Sequence, residues 1–272
     1  MTERKNGFLE LHDAKIYFES TGSGPAIVFA HGLAGNYLSW WQQVPFFATG
    51  HRCVTFSHRL FFPSSESEGG RGPAAFDEDL EKLLDHLGIE QAILVAQSMG
   101  GWTCLRFAVR CPSRVRGLVL GATAGMTPSG AEFLFTDPVK GRQIEMTNSL
   151  AILRSSGIIP AAGARMLAEQ PVLYFLYQQI DELTPRANKN IAREGFSSQP
   201  PIPIAELAKI RNPTLLLTGD EDAVFPSPVA MELSKYLPDA RLHNFRKSGH
   251  SAFFERAAEY NDLLAQFFAS LE

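Results

Sequence analysis

Five short apolar runs, set apart by stretches with helical periodicity, constrain this chain more than any other feature. They are Ala26–Ala30, Cys53–Phe56, Ala92–Ala96, Gly117–Leu120 and Thr214–Thr218. Runs this short and this continuous read as strands covered on both faces. Strands that alternate with helices predict a mostly parallel sheet wrapped by helices. Phe8–Leu11 and Ala14–Glu19 read as a strand pair ahead of the first run. Between the runs, Ala74–Leu87 puts Phe76, Leu80, Leu83, Leu84 and Leu87 on one stripe, with Gly88 as the stop. Ala257–Leu271 repeats the pattern with Tyr260, Leu264, Phe267, Phe268 and Leu271.

Residues 127–205 break the alternation. They hold helix-start signals at Asp137-Pro138 and Thr184-Pro185 and no convincing strand. The simplest organisation is a core made of 1–126 and 206–272, with 127–205 inserted as a helical cap, or lid, over the active edge of the sheet. The length of 272 residues suits one domain with an insertion, in which roughly three quarters of the unfolded surface can be buried. A net charge of −4 gives no electrostatic case for nucleic acid or an anionic membrane. The opening residues carry no signal-peptide core and no run of membrane-spanning length occurs, so a soluble, cytoplasmic protein is expected. Cys53, Cys104 and Cys111 stand in apolar contexts without paired spacing, which argues for buried free thiols rather than disulfides or zinc.

The chemistry concentrates at Ala92-Ile-Leu-Val-Ala-Gln97-Ser98-Met99-Gly100-Gly101-Trp102. A buried strand runs directly into a helix with one serine at the junction and small residues at −2, +2 and +3. Small neighbours are what a sharp strand-to-helix turn needs, and the helix N-terminus favours negative charge beside the hydroxyl. The segment resembles the nucleophile elbow, G-x-S-x-G, of the α/β-hydrolase superfamily, with Ala96 in place of the first glycine. Three more segments extend the resemblance. Ile27-Val-Phe-Ala-His31-Gly32-Leu33 is similar to the family's H-G-x motif. Thr214-Leu-Leu-Leu-Thr-Gly219-Asp220-Glu221-Asp222-Ala-Val-Phe-Pro226 is similar to its strand ending in G-x-x-D-x-x-x-P. Leu242–His250 reads as a last strand and a loop ending in Gly-His.

The resemblance implies an α/β-hydrolase fold: a mostly parallel, eight-stranded sheet flanked by helices, with an inserted helical lid. It implies Ser98 as nucleophile, His250 as general base and Asp222 as the acid that orients it, in the family's chain order. The backbone N–H groups of Leu33 and Met99 would form the oxyanion hole. Asp220 and Glu221 are the rival acids, and six other histidines compete with His250. The side chain of His31 is expected to be structural and His86 to lie exposed at a helix C-terminus. Gly32, Phe61, Phe135 and Val224 are expected to bind substrate, with no cofactor and no metal.

One loop departs from the family. Where relatives carry D-x-R-G-x-G-x-S, this chain has Ser57-His58-Arg59-Leu60-Phe61-Phe62-Pro63-Ser64-Ser65. If the missing glycines serve positive φ, the loop must take another path. Phe61 and Phe62 either fill a gap in the core or present apolar surface to the pocket. Of the apolar clusters at Phe133-Leu134-Phe135 and Tyr174-Phe175-Leu176-Tyr177, most residues are expected to pack the lid onto the core and some to line a pocket.

The expected reaction is hydrolysis of a carboxylic ester or lactone of an apolar small molecule, aromatic ones included, through an acyl-enzyme. Two alternatives stay open. One is a carbon–carbon bond hydrolase of ring-cleavage products, for which Arg59, Arg154, Arg165 and Arg186 are candidate anion-binding groups. The other is a non-enzymatic ligand receptor on the same fold. Haloalkane dehalogenase and epoxide hydrolase chemistry is disfavoured, because those relatives carry Asp where Ser98 stands. The partner is a small molecule; a homodimer is admitted but not required.

Overall fold

The computed structural model describes residues 3–125 and 147–271. Its strands are β1 (Arg4–Glu10), β2 (Ala14–Thr21), β3 (Ala26–Ala30), β4 (Arg52–Phe56), β5 (Ser65–Glu66), β6 (Ala92–Gln97), β7 (Val115–Gly121), β8 (Thr214–Gly219) and β9 (Ala240–Phe245). They form one sheet in the order β1-β2-β4-β3-β6-β7-β8-β9, so the path has the eight strands the resemblance implies, and the two-residue β5 pairs off it with β2. β1, β2 and β4 are antiparallel neighbours, and from β4 to β9 every pairing is parallel.

The apolar runs are continuous because both faces of the sheet are covered. Within β3, Val28 and Ala30 face a core with the helices α2 (Phe76–His86), α3 (Met99–Arg110) and α8 (Ser227–Ser234). Ile27 and Phe29 face a second core with α1 (Gln43–Phe47) and α9 (Ala257–Ala269). The alternation is that of any pleated strand, but both sides are buried. Every residue of β6 is buried. Truncating Leu94, at the heart of this layer, should cost about 2–5 kcal/mol. The acidic first turn of α2 (Asp77, Glu78, Asp79) suits the helix dipole, and Gly88 follows the helix end at φ 64°. His86 is exposed on its last turn.

Between β7 and β8 the described residues are helical and contain no strand. Residues 147–155 form one helical segment, followed by α4 (Gly163–Glu169), α5 (Pro171–Glu182), α6 (Arg186–Ser198) and α7 (Ile204–Leu207). The proposed start signal at Asp137-Pro138 lies outside the described residues. At Thr184-Pro185 the helix begins one residue later than the signal implies, with Pro185 as the flanking residue. Thr184 does not cap it; its hydroxyl accepts from the Phe62 N–H at 3.2 Å. Other links tie these helices to the core: Asn36 Nδ2 donates to Ile180 O at 3.0 Å, and Asn188 Nδ2 to Leu60 O at 2.8 Å.

The loop after β4 corrects the expectation about its path. Leu60 adopts φ 74°, so the left-handed turn survives without a glycine. Beneath it Arg59 is fully buried and bonds Asp79 (2.7 Å), Asp13 (2.9 Å) and Glu66 (2.7 Å). Hydrogen bonding from Arg59 holds the Asp13 carboxyl down at about 2. Burial pushes the Asp79 carboxyl up against the pull of the same guanidinium. Cys53 and Cys104 are buried free thiols, whereas Cys111 is only partly covered. Burial raises the Cys53 thiol to about 12. Among the described residues, no helix is long and apolar enough to cross a membrane.

Candidate active site

The parallel strands set the site, because loops at their carboxyl ends converge where the sheet is widest covered. β6 ends at Gln97, and Ser98 turns the chain into α3 with φ 50° and ψ −114°, outside the ordinary regions for an L-residue. Its own N–H is tied to Gly121 O at 2.8 Å. Glycine at 100 is a steric requirement: a Cβ there would sit 2.3 Å from Ala30 O and 2.9 Å from His31 O. The strained turn therefore works only because α3 can lie directly on the end of β3.

His250 arrives from the loop after β9. Its Nδ1 lies 2.9 Å from Asp222 Oδ2. A carboxylate can only accept, so Nδ1 carries the proton and Nε2 keeps its lone pair. The other Asp222 oxygen accepts the N–H groups of Val224 (2.7 Å) and Phe225 (2.9 Å), which fixes the carboxylate itself. Both side chains are buried. Gln97, next to the serine, donates to His250 O at 2.7 Å and ties the two loops together. A Cβ on Gly219 would meet Ser248 O and Gly249 O at 2.3 Å each, so the strand end must be glycine for the histidine loop to pass. The rival acids are engaged elsewhere. Asp220 accepts the Ser248 N–H at 3.2 Å, and Glu221 pairs with Arg165.

Gly32 lies beside the nucleophile, its hypothetical Cβ only 3.2 Å from Ser98 Cβ. Next to it, the Leu33 N–H has no acceptor among the described residues, and neither has that of Met99, the first residue of α3. Two free donors flanking one hydroxyl can hold an anion that develops there.

The serine, the histidine and both free amides line one cavity of about 920 Å³, with Asp222 buried behind the histidine. Ser98, His250, Gly32, Leu33, Met99 and Val224 are on its wall, as the sequence led us to expect. Phe61 is not. It is fully buried under the loop, 5.0 Å from the His31 ring, in a cluster with Phe76, Met99 and Phe196. The gap-filling role applies to Phe61, while Phe62 is largely exposed. Phe135, with Phe133 and Leu134, lies outside the described residues. Of Tyr174–Tyr177 only Tyr177 reaches the wall; Phe175 is exposed. Sequence reasoning missed Trp102, Phe196, Phe225 and Phe253, which supply much of the apolar lining. One signal was available for Trp102, since it stands four residues after Ser98 on the same helix.

The basic residues divide. Arg59 is consumed by its buried carboxylates and Arg165 by Glu221 and Glu169, so neither serves the cavity. Arg154 and Arg186 do line it, joined by Arg193 and by Lys189, which pairs with Asp181 at 2.6 Å. The three arginines are exposed, and among the described residues none has an ion-pair partner.

The model of the alpha/beta hydrolase fold family matches residues 25–151. A 2-hydroxy-6-oxo-6-phenylhexa-2,4-dienoate hydrolase of Comamonas testosteroni is 28% identical over 284 residues, spanning 95% of this chain and 92% of the relative. Among solved structures, a thermophilic esterase from Thermogutta terrifontis superposes with a TM-score of 0.80 at 20% identity, covering 98% of this chain and 99% of the esterase. The enol-lactonase from Burkholderia xenovorans LB400 does so at 0.75 and 19%, covering 97% and 100%. Strand order, elbow and relatives agree: the chain has the α/β-hydrolase fold, and these three similar proteins are hydrolases.

Proposed function

We propose that the protein hydrolyses a carboxylic ester or lactone of an apolar small molecule through an acyl-enzyme on Ser98. The observation that carries this reading is the strained Ser98 on the same cavity wall as the Asp222-bonded His250, between two amides without acceptors. Ser98 Oγ attacks the carbonyl carbon while His250 Nε2 takes its proton, and the oxyanion lodges on the Leu33 and Met99 N–H groups. His250 returns the proton to the departing alkoxide as the C–O bond breaks. Water, deprotonated by the same nitrogen, then releases the acid and restores Ser98. Asp222 keeps the imidazole in the required tautomer and stabilises its transient charge. The helices between β7 and β8 act as the lid expected of residues 127–205, and their aromatic lining excludes water from the acyl-enzyme.

p-Nitrophenyl acetate and butyrate test the reading directly. Wild type should release nitrophenol and, under rapid quench, carry one acyl group by mass spectrometry; Ser98→Ala should do neither. Wild-type protein that binds the esters without turnover would instead favour a receptor.

A second reading is carbon–carbon bond hydrolysis of an acidic oxo-dienoate by the same residues. It draws on the exposed Arg154, Arg186 and Arg193 along the cavity and on the activity named for the Comamonas testosteroni relative. Turnover of a 2-hydroxy-6-oxo-dienoate at least about a hundredfold above that of the esters, a gap of about 3 kcal/mol, would select it.

A further inference from the structure

We propose that Thr103, His58 and His31 form a directed hydrogen-bond relay that orients the Gly32–Leu33 peptide, one half of the oxyanion hole, relative to the nucleophile helix that supplies the other half. The proposal rests on the serine-hydrolase reading above, and it concerns positioning residues that do not touch substrate.

The direction of every bond follows from which atoms can donate. His31 Nδ1 lies 2.8 Å from Gly32 O. A carbonyl oxygen only accepts, so Nδ1 bears the proton. In a neutral ring Nε2 is then a lone pair, and it accepts the His58 backbone N–H at 3.0 Å. His58 Nδ1 stands 3.1 Å from that same nitrogen and must donate to it, or two lone pairs would face each other. His58 Nε2 is thereby left as an acceptor, and Thr103 Oγ1, at 2.9 Å, donates to it. The relay runs from Thr103 hydroxyl to His58, to His31, to the Gly32 carbonyl, without a gap.

Neutrality, on which this direction depends, is enforced by the surroundings. Both rings are buried, and His58 is enclosed by Phe56, Phe61 and Phe76, with ring centroids 4.5–6.4 Å away. Burial holds His31 down at about 4 and His58 well below its ordinary value.

The relay acts through one rigid peptide group. In a trans peptide the C=O and the N–H point in opposite directions in one plane. The Gly32 carbonyl is pinned on one side by His31 and by the Gly35 N–H at 3.0 Å. Its partner, the Leu33 N–H, is thereby held on the other, with Ser98 alongside. The far end of the relay is anchored in α3, four residues beyond Met99. Both oxyanion donors are thus tied to one frame. Without the relay they could shift independently, and small misplacements of such donors are costly in rate.

Ring tautomers provide a test that needs no substrate. In ¹⁵N-histidine-labelled protein, two-bond ring correlations should show His31 and His58 both neutral and both protonated at Nδ1 at pH 7. Thr103→Val keeps the shape but removes the donor. It should lower kcat for p-nitrophenyl butyrate on the order of tenfold with KM within about twofold. It should weaken by a similar factor an aryl trifluoromethyl ketone, whose hemiketal oxygen occupies the oxyanion hole. Thr103→Ser should restore both. A His58 proton on Nε2, or a Thr103→Val protein with unchanged kcat and ketone affinity, overturns the proposal even if Ser98→Ala is inactive. Turnover that survives Ser98→Ala would instead sink the hydrolase reading, and the tautomers would still decide whether the relay exists.

Discussion

Of the four described non-glycine residues at positive φ, Ser98 at φ 50° and Leu60 at φ 74° make the sharpest contrast. They are held in opposite ways. At the elbow the chain makes room, with glycine at 100 lying against the end of β3, and the serine gains a place on the cavity wall. At Leu60 no such backbone contact sets the turn. The turn is clamped by its neighbours: Arg59 below it with three carboxylates, Asn188 on its carbonyl, and its side chain against Phe61, Phe76 and Phe196. Strain at the first turn serves the proposed chemistry and strain at the second is borne by packing. Each can be removed separately.

The largest effect is expected at the elbow. Ser98→Ala should reduce ester turnover by about ten-thousandfold or more, while the fold stays intact, because the hydroxyl makes no structural hydrogen bond among the described residues. Circular dichroism with turnover measurements checks both halves. A variant that unfolds would mean that the elbow, too, is held by its side chain.

Arg59→Met strikes the other turn. It leaves Asp13, Glu66 and Asp79 crowded without their cation, and breaking a buried pair in this way typically costs about 3–5 kcal/mol. Urea denaturation at pH 7 should show that loss, shrinking toward pH 5 as the carboxylates take up protons. Turnover per folded molecule should change only a fewfold. A loss as deep as that of Ser98→Ala, in protein that remains folded, would erase the distinction between the two turns.

This contrast also explains what could be read in advance. The elbow, the Gly219 turn and the Gly-His loop depend on local rules, namely small residues where backbones touch and an acid or base at a strand end, so residues 98, 222 and 250 were legible. The loop after β4 was not. Its left-handed turn comes from contacts with residues as distant as Asp13, Asp79 and Asn188, which no local pattern encodes. The same holds for the cavity wall. Phe196, Phe225 and Phe253 come from three separate helices or loops, and only the topology brings them together.

A smaller effect concerns acid. Folded His31 titrates at about 4 against an ordinary 6.5. Below pH 6.5 the unfolded chain takes up a proton that the folded ring refuses until about pH 4. Stability is therefore complete above 6.5 and declines through that window, by up to about 3 kcal/mol for this ring. His58 works in the same direction. Asp79 and Glu255, whose carboxyls are raised by burial, oppose it, because they hold protons more readily in the folded state. Urea midpoints from pH 7.5 to 4.5 should fall in wild type and flatten in His31→Gln. Parallel slopes would contradict a neutral pair at the base of the oxyanion loop.

The least effect is expected from Leu60→Gly, and it is the one that weighs strain against packing most directly. Glycine removes a left-handed penalty of about 1–2 kcal/mol. It also deletes a side chain that is 8% exposed and packed among Phe61, Phe76 and Phe196, a loss of about 2–5 kcal/mol for a buried leucine. The two oppose each other, so the net destabilisation should be about 1–2 kcal/mol, less than an ordinary leucine truncation in the β6 layer. Measured beside Leu94→Ala, a smaller shift in urea midpoint for Leu60→Gly means that the loop carries real backbone strain that its packing outweighs. An equal or larger shift means that the turn is relaxed with leucine in place, and then of these two turns only that at Ser98 is strained.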